Sequence, residues 1–246
     1  IRAAKQKPFT EWSALAAKAA KDQHASVRRE LAIALRHLSG EEVNKIWASL
    51  AMRHSGSDRW YLEALGIGAD GNWDERFAAY SALKPENSKG YADVVWRART
   101  EKALPALIDL IGNTKSLAYF RALDFMPGEQ KSEALFGLIK GKFTDDVNAQ
   151  LEALRHMKPA YIDSHPEVKS MLSTLLKQIN GKPYLELVDY YQLTEESPRV
   201  LGMILAGTEA SKSGQVLYNL PGGAELIRSK FFAGKEAEQL AMIETL

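Results

Sequence analysis

The chain contains no cysteine among its 246 residues. Disulfides, thiolate nucleophiles, iron–sulfur clusters and covalent haem attachment are therefore excluded within it. The compartment stays open, because a cysteine-free chain suits both cytoplasm and periplasm. No run of about 18 apolar residues occurs, so no segment reads as a membrane-spanning helix. A charge excess is missing too: 32 basic and 31 acidic residues leave a net +1. Dedicated nucleic-acid binders usually carry a basic surplus. No GxSxG, HExxH, phosphate loop or dinucleotide fingerprint is present, and Gly66-Ile67-Gly68 lacks the preceding strand such a fingerprint needs. Long period-two alternation is absent, which argues against strands.

What is present is a recurring helical pair. Candidate second helices begin near Ser26, Asp58, Gly90, Thr114, Thr144, Gly181, Ser211 and Lys235. Successive starts lie about thirty residues apart, the size of one antiparallel helix pair in a stacked array. In the first pair, Trp12, Leu15, Ala16 and Ala19 form one apolar stripe and Val27, Leu31, Ala34, Leu35 and Leu38 the next. Val43, Ile46, Trp47, Leu50 and Ala51 continue the pattern. Breaks fall at Ser39-Gly40, at Ser55-Gly56-Ser57, in the KPENSKG loop, at Pro127-Gly128 and at Pro221-Gly222-Gly223. Pro159 and Pro166 bracket a longer connection. Helices of about 8–14 residues are marginal alone, so stability must come from pairs covering one another. Small residues such as Ala34, Ala64, Ala79 and Ala153 suit close helix contact. The expected fold is an all-α, HEAT-like superhelix (solenoid) of seven to eight degenerate helix pairs, with residues 1–246 forming a single array.

No residue here is assigned a catalytic role. Asp58 reads as an N-cap, and Arg59 and Glu63 stand at i, i+4, the spacing of an ion pair on one helix face. With Trp60 and Tyr61 the ordinary account is a cap, a surface pair and two core aromatics; the functional account is a docking point. All five tryptophans (Trp12, Trp47, Trp60, Trp73, Trp96) lie before residue 100. Most should pack between repeats, while Trp96 with Arg97 and Arg99 is the leading exposed example, since Trp and Arg are favoured at interface hot spots. His24, His37, His54, His156 and His165 lack metal-ligand spacing and read as surface histidines, so neither a metal nor a cofactor is expected. Basic residues cluster at the start (Arg2, Lys5, Lys7, Lys18, Lys21, Arg28, Arg29, Arg36), read as a solvated face in preference to a phosphate track. Phe231 and Phe232 read as core of the last repeat. Glu41-Glu42, Asp145-Asp146 and Glu195-Glu196 sit at helix starts, where the dipole favours acids.

Two segments carry a resemblance. VRRELAIALRHL, residues 27–38, resembles the second helix of a HEAT repeat. HSGSDRWYLEALGIGADGNWDERFAAY, residues 54–80, resembles a segment of large secreted proteins of planctomycetes, verrucomicrobia and related bacteria. Those proteins join sugar-dehydrogenase-like β-propellers to HEAT-like repeats and a c-type cytochrome domain. The similarity spans about residues 24–80. This chain has no CxxCH and no propeller sequence, so any redox chemistry would belong to neighbouring domains. The resemblance implies a periplasmic or extracellular location, with the cytoplasm as the other option. The chain starts at Ile1 without a signal peptide, and we expect a segment of a longer protein. The expected function is a non-catalytic, monomeric scaffold packing against flanking domains or another protein. The alternatives are a HEAT-like DNA glycosylase working in a basic groove and a free-standing peptide-binding adaptor.

Overall fold

Helices are the only regular structure among the described residues of the computed structural model: seventeen α-helices and five short 3-10 turns, without a strand. The structure describes residues 1–86, 88–126 and 130–245, with side chains through residue 243. The Pro127-Gly128 break, and Asn87 of the KPENSKG loop, lie outside the described residues. The chain divides into two compact units, Ile1–Ala134 and Leu135–Leu246. Each is described by itself.

The first unit holds α1 (Ser13–Ala19), α2 (Ala25–Ala34), α3 (Glu41–Ala51), α4 (Arg59–Ala69), α5 (Trp73–Ala82), α6 (Lys89–Arg97), α7 (Leu104–Thr114) and α8 (Leu117–Ala122). Even-numbered helices form one row, α2 on α4, α4 on α6 and α6 on α8. In the other row α3 lies on α5, and α5 meets the 3-10 turn Glu101–Ala103 that leads into α7. The core runs between the rows: Leu31, Leu35, Leu50, Leu65 and Leu107 are sealed from water. Trp47 anchors it, edge-on to Trp73 at 5.8 Å and donating its indole N–H to the Leu65 carbonyl at 3.0 Å.

Glycine sets the spacing of the even row. A Cβ on Gly68 of α4 would stand 2.2 Å from the Ala32 carbonyl oxygen of α2, and one on Gly90 of α6 would stand 1.9 Å from the His54 carbonyl oxygen. Backbones therefore meet backbones, which only glycine permits. Of the small residues expected at close contacts, Ala34, Ala64 and Ala153 are buried and Ala79 is half-buried.

The second unit holds α10 (Val147–Arg155), α11 (Pro159–Ser164), α12 (Pro166–Gln178), α13 (Gly181–Tyr191), α14 (Ser197–Leu205), α15 (Ala210–Asn219), α16 (Gly223–Ala233) and α17 (Glu236–Thr245). The division between units falls within α9 (Gln130–Lys140). A row again links alternate pairs, α10 on α13, α13 on α15 and α15 on α17. Its core includes Leu154, Leu172, Tyr184, Leu185, Val188, Val200 and Leu217.

A repeated device ties helices to their successors. Helix C-termini leave carbonyls without intrahelical partners. Arg76 of α5, fully buried, donates to the carbonyls of Leu35 (2.9 Å) and Leu38 (2.8 Å) past the end of α2. Arg199 of α14 donates to Leu176 (2.7 Å) and Ile179 (2.8 Å) at the end of α12. The Tyr61 hydroxyl donates to Leu50 at the end of α3 (2.9 Å), and the Tyr191 hydroxyl to Leu154 at the end of α10. Burial lowers the Arg76 pKa to about 10 and raises those of Tyr61, Tyr80, Tyr184 and Tyr191.

Three expectations are corrected. Leu15 does not belong to the first apolar stripe: it is 45% exposed, while Trp12, Ala16 and Ala19 are buried. The Pro159–Pro166 segment is not an open connection but a helix, α11, because both prolines occupy first helical positions where no N–H is required. Phe232 is not core; it is 77% exposed on α16.

Candidate docking groove

Asp58 caps α4 by accepting the Tyr61 N–H at 3.0 Å, and Ser88 caps α6 by accepting the Tyr91 N–H at 3.2 Å. Ser116 begins the first turn of α8. The helices of the even row thus bring three N-termini to one edge. The turn before α4 lies directly on the start of α6: Gly56, at φ +82°, has no room for a Cβ beside the Lys89 side chain. Along this edge runs a groove of about 560 Å³. Arg59, Glu63, Lys89, Asp93, Trp96 and Tyr119 line it, with Leu62 and Ala118 in its walls.

The charges are layered. Glu63 is held from within by Arg97, whose Nε donates to it at 3.3 Å, and from outside by Arg59 at 3.9 Å. Asp93 is held by His54 Nε2 at 3.0 Å and by Lys89 Nζ at 3.0 Å. Lys89 also donates to the Gly56 carbonyl. Both acids are largely covered, whereas the Arg59 and Lys89 side chains are 85% and 71% exposed. Gly66 makes this possible, since a Cβ there would strike the Arg97 guanidinium at 2.5 Å.

Arg59, Glu63 and Arg97 therefore meet along α4, while Asp58 at its start lies 3.9 Å from Arg29. Trp96 lines the same groove but is half-buried, its indole N–H on the Ala118 carbonyl at 3.0 Å. Trp60 is the outward ring, 72% exposed, while its neighbour Tyr61 is core. Arg99 turns elsewhere: it donates to the carbonyls of Trp96 and Ala98 and lies 4.8 Å over Phe125. Burial, then the nearby Arg97, lower its pKa. Lys89, Asp93, Ser116 and Tyr119 were not foreseen; the i, i+4 spacing of Lys89 and Asp93 was their only signal.

His54 is corrected from surface to interior. Its ring is stacked on Tyr61 at 5.9 Å and all but sealed, and Nδ1 has no hydrogen-bond partner. Among the described residues no cluster of His, Asp and Glu forms a metal site, and no helix is long and apolar enough to cross a membrane. Much of the N-terminal basic cluster is paired within the unit: Arg2 with Glu30, Arg36 with Asp70, and Arg28 buried on the carbonyls of Asp22 and Gln23. Protein-family models, curated proteins and solved structures yield no match to this chain.

Proposed function

We propose that this chain is a non-catalytic, HEAT-like helical-repeat scaffold, and that the groove at the N-terminal edge of α4, α6 and α8 docks an adjoining domain or a separate protein. The row packing of alternate helices supports the stacked-array reading, as does the recurrence of about thirty residues in the sequence. On this reading the array belongs to a larger secreted bacterial protein and works outside the cytoplasm, with chemistry left to other domains.

The observation that carries docking is a groove lined by Trp96 and rimmed by the exposed Arg59 and Lys89, with an exposed Trp60 next to Arg59 in the chain. Trp and Arg concentrate binding energy at protein interfaces. The internal pairing of Arg2, Arg28 and Arg36 favours a protein partner over a phosphate backbone, because a paired guanidinium releases fewer counterions. A photo-crosslinking residue at Ser57, placed in the complete protein in its native cells, tests the assignment. A discrete adduct that weakens in the Arg59→Ala/Trp60→Ala variant is expected. A folded protein giving no adduct would remove the docking role.

A further inference from the structure

We propose that the groove between α4, α6 and α8 selects an acidic peptide segment bearing leucine or an aromatic side chain. This rests on the docking reading and names the chemistry of its partner. Charge complementarity points to this occupant. Glu63 and Asp93 each have an inner partner, Arg97 and His54 respectively. Glu63 therefore keeps a guanidinium when Arg59 turns outward, whereas Lys89, at 3.0 Å, is the cation that Asp93 keeps. Arg59 contacts Glu63 only at 3.9 Å, a loose pair on an exposed side chain, and such pairs contribute little. Arg59, the most exposed of the groove's charges, is therefore the group an incoming carboxylate engages without leaving an acid unpaired, with Lys89 adding its charge from beside Asp93. The positive end of α6, capped by the uncharged Ser88, adds to the same sign of field. Between the cations, Leu62, Trp96, Ala118 and Tyr119 offer an apolar wall that suits an apolar side chain. An acidic chain lacking apolar residues would leave that wall wet, and a neutral apolar one would leave Arg59 with only its loose pair to Glu63.

The test uses the full chain and fluorescein-labelled decapeptides read by anisotropy at low salt: alternating Glu-Leu, alternating Gln-Leu and all-Glu, with a duplex DNA of similar charge as a further arm. Glu-Leu should bind at least about tenfold more tightly than either other peptide, and Arg59→Glu/Lys89→Glu should lose about tenfold, with unchanged circular dichroism confirming the fold. Rising salt should weaken binding. Equal binding of Gln-Leu, indifference to the double variant, or preference for the duplex would each overturn the proposal. Failure here with the Ser57 crosslink intact would leave docking standing and remove only its acidic partner. Loss of the crosslink would remove both.

Discussion

Replacing Gly68 with alanine should destabilise the first unit although alanine is the better helix former. A Cβ at this position lies 2.2 Å from the Ala32 carbonyl oxygen and 3.0 Å from its carbon. Unstrained contact needs roughly 3.5 Å, so α2 and α4 must separate by about 1 Å or bend. The obstacle is backbone, which cannot swing aside as a side chain would. Overpacking of this kind costs about 1–3 kcal/mol and here belongs at the upper end. Removing a helical glycine returns up to about 1 kcal/mol. The net loss is about 2 kcal/mol, a fall in Tm of about 4–8 °C. Gly202 of α14 is the control, because nothing lies within 4 Å of its Cβ and Gly202→Ala should gain up to about 1 kcal/mol. Urea titration separates the two, with tryptophan fluorescence reporting the first unit, where all five rings lie, and far-ultraviolet circular dichroism reporting the whole chain. A Gly68→Ala midpoint at or above that of the parent, with unchanged slope, would refute the backbone-contact argument.

Arg76→Ala should cost about 3 kcal/mol, since it strips the Leu38 carbonyl of its side-chain donor, leaves the Leu35 carbonyl with the Leu38 N–H, and opens a cavity; a loss under about 1 kcal/mol by urea titration would show that water replaces the guanidinium without penalty. Trp47→Ala should cost about 3–5 kcal/mol and Trp60→Ala less than about 0.5 kcal/mol, because one ring is sealed in the core and the other stands in solvent; parallel thermal melts check the contrast. Alkali should unfold the chain. Burial raises the folded-state pKa values of Tyr61, Tyr80, Tyr184 and Tyr191, so their contribution is intact below pH about 10 and is lost as pH rises toward those folded values. Arg76, lowered by burial, acts oppositely but as a single group. Urea midpoints at pH 9 and pH 11 should fall in that order, and equal midpoints would contradict the sign.

Helix type and helix starts were legible because they rest on local signals. Asp58 before an apolar-periodic run gave the α4 cap, and Gly40 and Gly222, both at positive φ, marked the starts of α3 and α16. Which side of a short helix faces inward was less legible. Leu15 and Trp60 are large and apolar yet exposed, since the neighbour that decides their burial comes from a distant helix. His54 looked polar and exposed, but its ring pairs with Tyr61 and Asp93, and a single residue in a turn carries no sign of that. In the sequence Gly66 and Gly68 stand out only as part of an incomplete dinucleotide fingerprint. Two glycines inside α4 should weaken it, and the reason they are tolerated lies in α2 and α6, not in α4. The groove was half visible: Arg59, Glu63 and Trp96 stood out by type, while Lys89 and Asp93 needed the row packing to bring α6 alongside.

The carbonyl-capping side chains also set a schedule for synthesis. The Leu38 carbonyl beyond α2 takes its side-chain donor from Arg76, while those of Leu35 and Leu154, already bonded to the N–H groups of Leu38 and Met157, gain a second donor when Arg76 and Tyr191 arrive. A chain emerging from the ribosome therefore carries these helix ends incompletely bonded until about forty further residues have followed. Pausing within that interval would expose the unfinished edge of a helix row.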